Sequence, residues 1–579
     1  MGEDVLSVDS MGMIYNWLQI CLSHPKCCQT MSGERSINAR KAPLPTRCVE
    51  VLTRGFRLKE TGSEIGAYIT LSHRWMSETE LCSTTAENIG SRREIHGNWW
   101  RDLPKTFLDV LGLARRLGVK YVWIDSLCII QSGDEGADWR RESIKMADYY
   151  QYSLFTIAAT SGSKDLGLFP PKIIMPPRIA RLPYRDSKGS RHGYFYAYSY
   201  SWEVDKQYLS FVQDSELLSR GWVFQEWLLS RRIVYFTPAG IFWECEEKPP
   251  YNDRGEISQT RSEDDKLADV QPSAKHSFTL EAATINPMWY RIVEAYSTLS
   301  LTKPDMDRIV ALAGIAKEFR EALMREAPAV AATVPSGLES VSGLWLPDLH
   351  HGLLWERKSS ECKLQRIPNF PTWSWTSILC PVEWNDGQGA RIEPEAKLIA
   401  VAASEDDVFS VDSLRPIEGS KSSPPKVFDV DNQFASLYMR GTTLQVLVRD
   451  RFNNERDLEI TSAVSGHAGK SDKTAWRTVC SSLLPTEIAG WASFEHPDYQ
   501  DDSLFEDGCE LCVFHISTAL KVRGGYGLGY LTPWHNVFNV LFVKNINGQK
   551  YERLGVGRLF GKEIEKQFGT ATAHYVELN

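Results

Sequence analysis

The sequence lacks several features that would assign it at once to a class of protein. It contains no run of about 18 apolar residues, so we expect no transmembrane helix. Its first residues, MGEDVLSVDS, are acidic and carry no basic region ahead of an apolar core, so we expect no secretion signal. It has neither a G-x-x-x-x-G-K-[ST] motif nor a glycine fingerprint for dinucleotides, which disfavours an ATPase or a dehydrogenase.

The chain also lacks a net positive charge, and its cysteines show no disulfide framework. The net charge of −9 does not favour binding to nucleic acid. The 12 cysteines are scattered over 579 residues and, without a secretion signal, fit reduced thiols in the cytoplasm. The chain is too long for one core, and its 19 tryptophans indicate aromatic-rich cores or pockets.

Residues 61–245 alternate between predicted strands and helices. This alternation indicates βαβ units and a parallel sheet, in which ligands bind at the carboxyl ends of the strands. The strands are continuous apolar runs, as expected when helices cover both faces. The predicted strands are 67–73, 121–125, 154–160 and 231–236, the predicted helices include 103–118 and 220–229, and residues 161–216 form an insertion.

The remaining chain divides by composition into three further parts. Residues 1–60 form a lead-in segment with a short helix and a strand pair. Residues 246–385 are helical at first and then rich in tryptophan, and residues 386–579 consist mostly of β-like runs. The predicted fold is therefore α/β, with a parallel-sheet core, a helical middle region and a mostly β C-terminal domain.

Polar residues follow two strands at the expected ligand edge. Ser72, His73 and Arg74 stand at the end of the first strand, and Asp125 ends the second. These four are candidate substrate-binding residues. An arginine there can hold a phosphate, or it can pair with Asp125 or Glu142. Ser72 can instead cap the next turn, and Asp125 can bond to the loop that follows it.

A glutamate interrupts the apolar stretch SRGWVFQEWLLSRRIVYF, residues 219–236. On a helix, Glu226 shares a face with Trp222. A carboxylate in apolar surroundings is costly unless it has a partner or a function. The sequence leaves two interpretations open. Glu226 is a functional carboxylate, or it pairs with Arg220, Arg231 or Arg232.

Cys21, His24, Cys27 and Cys28 form a C-x2-H-x2-C-C motif near the N-terminus. Thiol and imidazole ligands suit zinc. The spacing is not that of a common zinc finger, however, and adjacent cysteines are awkward as joint ligands. The sequence alone favours buried free thiols here, and we predict no metal. The lone C-x-x-C at Cys509 has no second pair and is predicted to be structural.

Four segments follow one another in a distinctive order. They are LSHRWM (71–76), YVWIDSLCIIQ (121–131), RRESIKMADYY (140–150) and RGWVFQEWLLSRRIVYF (220–236). In order and spacing they resemble the fungal heterokaryon-incompatibility (HET) domain. The resemblance is specific to about residue 240 and extends to about 380, although the first segment departs from the LSYxWG that the family more often has. It implies a role in non-self recognition and programmed cell death.

The HET core in turn resembles a divergent TIR domain, which has a flavodoxin-like parallel sheet. In NAD-cleaving TIR domains a helix with W-x-x-x-E carries the catalytic glutamate, and here that position is Glu226. The resemblance implies hydrolysis of NAD or a related nucleotide, with NAD as substrate and no cofactor. Trp222 would stack on a flat ring of the substrate. Self-association to order the loop after the second strand is also implied.

Two other hypotheses remain open from the sequence. The core could be a non-enzymatic module that signals by assembly, with Glu226 structural. Alternatively, a HET scaffold could act on another small molecule, with the tryptophan-rich segments within 343–378 lining the pocket. The C-terminal β region is the expected site for a protein partner, and we expect neither nucleic acid nor a membrane span.

Overall fold

The computed structural model describes residues 8–62, 64–160, 167–171, 179–198, 202–253, 280, 285–326, 328, 340–385, 391–404, 407–410, 436–466, 473–522 and 535–579. The chain forms two compact units, Met1–Thr279 and Leu280–Asn579. No helix within the described ranges has the length and apolar character needed to cross a membrane. The four-part division at residues 60, 245 and 385 remains a prediction.

The first unit combines helices with a large sheet. Its helices are α1 Val8–Cys21, α2 Ser77–Leu81, α3 Ile89–Arg92, α4 Lys105–Arg116, α5 Asp125–Cys128, α6 Ala137–Ser143, α7 Met146–Tyr152, α8 Trp202–Tyr208 and α9 Gly221–Leu229. Its strands are β1 Ala42–Pro43, β2 Arg47–Val51, β3 Phe56–Glu60, β4 Ile65–Gly66, β5 Tyr68–Ser72, β6 Tyr121–Ile124, β7 Thr156–Ala158, β8 Ile179–Arg185, β9 Arg191–Tyr198, β10 Arg232–Thr237, β11 Gly240–Cys245 and β12 Tyr251–Asn252.

Eight of these strands form one mixed sheet in the order β12-β11-β10-β7-β5-β6-β2-β3. The four central strands, β10, β7, β5 and β6, are parallel. Every residue of these four strands is buried, because continuous apolar runs can be covered on both faces. The predicted α/β class and the parallel core are therefore confirmed.

The two edges of the sheet differ from the predicted parallel arrangement. On one side β2 and β3 form an antiparallel hairpin against β6, although they come from the segment predicted as a lead-in. On the other side β11 and β12 continue β10 in antiparallel order. Tight connections such as the one from Thr237 to Gly240 can join only antiparallel strands, because a parallel pair needs a long crossover. The sheet is mixed for this reason.

The order of the parallel strands locates a ligand edge. If the parallel strands are numbered along the chain, β5 is strand 1, β6 strand 2, β7 strand 3 and β10 strand 4. Their order across the sheet is then 2-1-3-4, as in flavodoxin-like sheets. The order reverses between β5 and β7, so the switch point lies where these two strands end. Ser72 is the last residue of β5 and pairs with Ala158, the last residue of β7. The crevice outside these residues is where ligands bind in open α/β sheets.

The second unit begins with helices and ends in a large β structure. Its helices are α10 Ile285–Ser297, α11 Pro304–Asp307, α12 Ala313–Glu326, α13 Leu349–Gly352, α14 Glu455–Val464 and α15 Lys562–Thr570. Its strands are β13 Ser340–Val341, β14 Leu344–Trp345, β15 Glu356–Arg357, β16 Val382–Glu383, β17 Arg391–Pro394, β18 Lys397–Ser404, β19 Asp407–Ser410, β20 Ser436–Gly441, β21 Thr443–Arg451, β22 Arg477–Ser481, β23 Leu484–Phe494, β24 Cys509–Val522, β25 His535–Asn545, β26 Lys550–Phe560 and β27 His574–Leu578.

Six strands of the second unit pair in a closed ring. The order is β21-β22-β23-β26-β25-β24, and β24 returns to β21, with every pairing antiparallel. Closure leaves none of these six strands as an open edge. The turn between β25 and β26 falls at NING, residues 545–548, where asparagine and glycine suit a tight hairpin turn.

A glycine in this ring sits where two neighbouring strands approach closely. Gly557 of β26 lies opposite Ala492 of β23 and Val540 of β25. A Cβ atom at this position would lie 2.2 Å from the carbonyl oxygen of Trp491 and 2.7 Å from a ring carbon of Phe542. Neither the backbone nor the packed ring can move aside without disturbing the ring of strands.

We expect Gly557→Ala to lower the free energy of unfolding of the second unit by about 1–3 kcal/mol, since added volume strains a packed core. Denaturant titration of the full chain measures the change. The matched control is Gly569→Ala in α15, where a Cβ would meet nothing within 4 Å. The control should be neutral or gain up to about 1 kcal/mol from helix propensity. Equal losses in the two variants would contradict this account.

Candidate functional site

Glu226 lies in the second half of α9, the helix that precedes the last parallel strand. The helix follows Arg220, whose backbone is extended, and ends at Ser230, where the hydroxyl donates to the carbonyl oxygen of Glu226 at 2.6 Å. The helix is apolar on nearly all sides and packs against α7. A helix buried all round carries whatever polar group it contains into the interior.

The carboxyl group of Glu226 is enclosed at the switch point of the sheet. The residue is 5% exposed. The hydroxyls of Ser72 and Tyr150 approach the carboxyl and favour its ionised form. Within the described residues, neither Glu226 Oε2 nor Ser72 Oγ has a well-oriented hydrogen-bond partner. Both residues line a cavity of about 10 Å³, which is room for one water molecule.

Burial decides the protonation of this carboxyl. Removal from water raises the pKa of Glu226 from its ordinary value of 4.5 to about 8, and the negative charge of Asp125 adds to the rise. Ser72, Tyr150 and the positive charge of Arg220 act in the opposite direction and do not offset it. At neutral pH the enclosed carboxyl is therefore mostly protonated, and small changes around it will move its charge across the physiological range.

Asp125 stands at the end of β6, as predicted, and hydrogen bonds from nearby residues hold its carboxyl group. Its Oδ2 accepts a hydrogen bond from Trp75 Nε1 at 2.7 Å, and its Oδ1 accepts one from the Ser126 backbone at 2.7 Å. His73 Nδ1 lies 3.6 Å from Oδ1. Burial lowers the pKa of His73, although Asp125 opposes that shift, so the imidazole is neutral at pH 7. The side chain of Asp125 is 16% exposed and so faces the rim of the site.

Two of the predicted substrate-binding residues lie away from the carboxyl. Arg74 is exposed and forms an ion pair with Glu216 on the surface, rather than with Asp125 or Glu142. Trp222 packs edge to face on Trp139, with ring centroids 5.9 Å apart, and does not line the small cavity. Of the sequence candidates, the structure thus brings together Ser72, His73, Asp125 and Glu226.

Two of the three arginines that could have neutralised Glu226 have other partners. Arg231 pairs with Glu246 at 3.1 Å, and Arg232 donates to the Cys27 carbonyl at 2.9 Å. Arg220 influences Glu226 by its charge. Glu142 is tied to Lys145 and to other residues, so it belongs to the scaffold. The interpretation of Glu226 as half of a salt bridge with Arg231 or Arg232 therefore does not hold.

Sequence reasoning missed two residues of the site. Trp75 fixes Asp125, and Tyr150 places its hydroxyl near Glu226 while its ring packs on Trp123, with centroids 5.5 Å apart. Both stand inside the segments LSHRWM and RRESIKMADYY, which carry the resemblance described above. Each is an aromatic residue with a polar N–H or O–H group inside one of these segments, and this combination is the signal that would have identified them.

The raised pKa predicts how stability varies with pH. The folded state holds its Glu226 proton to about pH 8, whereas the unfolded chain releases it near 4.5. The contribution of this group to the free energy of unfolding is therefore fully present below pH 4.5 and declines as the pH rises toward 8. Glu226→Gln removes this titration, so its stability relative to the native chain should rise by up to about 1.4 kcal/mol per pH unit in that window.

Scanning calorimetry of the transition of the first unit at pH 5 and pH 8 measures this difference. Glu94→Gln is the control, since Glu94 is exposed on the surface. A stability difference between Glu226→Gln and the native chain that is the same at both pH values would show that the carboxyl titrates normally.

Comparison with known families identifies part of this unit. Residues 68–226 match the family model described as heterokaryon incompatibility protein (HET), which begins at the first residue of β5 and ends at Glu226. No curated protein and no solved structure matches the chain significantly. The matched segment contains all six residues predicted for the site. Over these residues the match confirms the resemblance to the HET domain and supports a heterokaryon-incompatibility domain protein.

Proposed function

We propose that the first unit is a TIR-like HET domain that hydrolyses the N-glycosidic bond of NAD or a related nucleotide, with Glu226 as the catalytic carboxylate. The observation that carries this proposal is a buried carboxyl with an unpartnered oxygen at the switch point of the parallel strands. A buried carboxyl that no salt bridge neutralises is costly and tends to mark a functional site. A HET domain supports a protein of the heterokaryon-incompatibility and cell-death type.

The chemistry fits a single carboxylate. Cleavage of the bond between nicotinamide and ribose develops positive charge on the sugar, and a nearby carboxylate stabilises that charge in a water-poor site. Nicotinamide leaves as a neutral base, so no acid is needed to protonate it. Ser72 would orient the carboxylate or a ribose hydroxyl, and Asp125 lies on the same rim to hold the ribose.

Glu226 must be ionised for this role. A bound cation favours the charged form of a neighbouring carboxyl, so the positively charged nicotinamide ring would lower the pKa of Glu226. Burial keeps the proton on Glu226 in the enclosed state, whereas the positive charge of the substrate favours its release. Substrate binding would itself convert the neutral acid into the carboxylate that the reaction uses.

The site has to open before a dinucleotide can enter. Small-molecule pockets commonly measure about 300–1,000 Å³, whereas the cavity beside Glu226 measures about 10 Å³. Opening would require the rim to move, and the rim includes the segment that follows Asp125 and Arg74, which is held on the surface by Glu216. We propose that self-association supplies the free energy that holds the open form.

The same closed cavity favours a second candidate function. A core without room for a ligand can signal through assembly alone, with Glu226 as part of the packing. The third hypothesis, an enzyme with a tryptophan-lined pocket, gains no support, since Trp355, Trp373 and Trp375 are buried in the second unit.

We expect Glu226→Gln to abolish the release of nicotinamide from NAD, because an amide cannot stabilise a cation as a carboxylate does. Losing the central electrostatic group costs about 10²-fold or more in kcat. Chromatographic detection of nicotinamide from the purified full chain measures the loss, and Glu94→Gln should keep full activity. Each protein is assayed across a concentration series with size determination, so that assembled forms are included.

Two results would decide against the enzyme. Equal nicotinamide release by Glu226→Gln and the native chain would remove Glu226 from the catalytic role. No turnover by the native chain in any assembled form, together with concentration-dependent assembly, would favour the non-enzymatic module.

The activity should also depend on pH through Glu226. Since the carboxylate is the active form, kcat/KM should rise with pH through a midpoint near 8, the pKa of the free enzyme, and reach its plateau above that pH. Arg220→Gln removes a positive charge that lowers this pKa, so the midpoint should move to higher pH while the plateau stays. The control is Arg54→Gln on the exposed surface. An unshifted profile in Arg220→Gln would mean that another group sets the pH dependence.

A further inference from the structure

Four metal-ligand side chains meet in the first unit, outside the site of Glu226. They are Cys21, His24, Cys27 and Cys245, and one ligand atom from each lies within 4.8 Å of all the others. The three cysteines are buried and His24 is half-buried. All cysteines are free thiols. The first three residues are close in sequence, but the fourth comes from more than two hundred residues further along the chain.

Local structure explains how the chain assembles this cluster. Cys21 ends α1, and Cys27 lies in a short 3-10 turn, Lys26–Cys28. Cys245 is the last residue of β11, in the antiparallel hairpin that follows the parallel core. The backbone N–H of Lys26 donates to Glu247 Oε2 at 3.2 Å, which fixes the turn against the end of that strand.

We propose that Cys21, His24, Cys27 and Cys245 bind one Zn²⁺ ion as a structural site. Zinc binds thiolate sulfur at about 2.3 Å and imidazole nitrogen at about 2.0–2.1 Å, so a tetrahedral site places its sulfur and nitrogen ligands about 3.6 Å apart. His24 Nδ1 lies 3.7 Å from Cys245 Sγ and 4.0 Å from Cys27 Sγ. Only a small contraction converts this arrangement into a coordination shell.

The donor set identifies the metal and the kind of site. Soft thiolates with one imidazole select zinc among the common divalent ions, and four protein ligands leave no open position for a reacting water. Binding would release the protons of three thiols and give a complex with a net charge of −1. The site is therefore structural rather than catalytic.

A buried arginine beside the cluster supplies the opposite charge. Arg232 is 1% exposed, and its charge acts on both Cys21 and Cys27. One of its nitrogens donates to the Cys27 carbonyl, whereas Nε and Nη1 are buried without a hydrogen-bond partner in the described structure. A cation buried in this way is costly unless an anion lies nearby. The zinc–thiolate complex provides that anion, which the neutral thiols alone do not.

The ligand set differs from the one that the sequence suggested. Cys28 turns its thiol to the carbonyl oxygen of Leu22 at 3.2 Å and stays out of the cluster. Cys245 takes its place. This exchange removes the objection to adjacent cysteine ligands, and the proposed zinc site is an alternative to the free thiols without a metal that the sequence predicted.

The metal would fasten the N-terminal segment to the last hairpin of the sheet. Trp17 of α1 also packs on Trp243 of β11, with ring centroids 6.0 Å apart, and on Tyr251 of β12 at 5.3 Å. Since β11 pairs with β10, the strand that follows the helix of Glu226, the zinc site would stabilise the edge of the sheet on which that helix rests.

Metal analysis of the full chain, purified with a reductant and without chelators, tests the site. We expect about one zinc per chain, and we expect Cys245→Ser to lose most of it. Cys28→Ser is the matched control, since it removes a neighbouring thiol outside the cluster, and it should keep the metal. Exchange of zinc for Co²⁺ in the native chain should produce the intense thiolate-to-cobalt absorption of a site with several cysteine ligands.

The cobalt spectrum keeps the test decisive if Cys245→Ser fails to fold. A native chain that contains no zinc and binds Co²⁺ without thiolate absorption would overturn the proposal. So would a disulfide among Cys21, Cys27 and Cys245 in the protein as purified, or equal zinc loss in Cys28→Ser and a folded Cys245→Ser.

Discussion

The desolvation of one carboxyl group is the constraint on which the rest of the first unit depends. Glu226 is carried into the interior by a helix that is apolar on nearly every side, at the point where the order of the parallel strands reverses. Its charge could be neutralised there by a salt bridge, but Arg231 and Arg232 are engaged elsewhere. The protein instead keeps the proton on the carboxyl, and Asp125 strengthens that outcome.

Much of the core could be predicted from the sequence, because it rests on local patterns. Continuous apolar runs marked the four parallel strands, and helical periodicity marked α4 between residues 105 and 116. The prediction that Glu226 is a functional carboxylate also rested on its neighbours in the sequence. The antiparallel edges could not be predicted in this way, since pairing between β2 and β6 depends on residues about seventy positions apart that leave no local signal.

Side-chain partners were the least predictable part for the same reason. Arg74 follows β5 as a phosphate ligand would, yet it turns outward to Glu216. Cys245 completes a cluster that begins at Cys21, and its position in the sequence suggests no such role. Periodicity places a residue on a face of its element, whereas a contact also requires the packing of elements that are distant in sequence.

Closure of the cavity disfavours ionisation of Glu226, and ionisation of Glu226 disfavours closure by the same free energy. A neutral Glu226 fits the small apolar cavity, whereas its carboxylate would lose several kcal/mol there, at about 1.4 kcal/mol for each unit of pKa. Any ligand or assembly that opens the cavity to water or brings a cation restores the ordinary acidity of the carboxyl. The closed state is therefore the uncharged one, and under the proposed function the carboxylate would form only when the site opens.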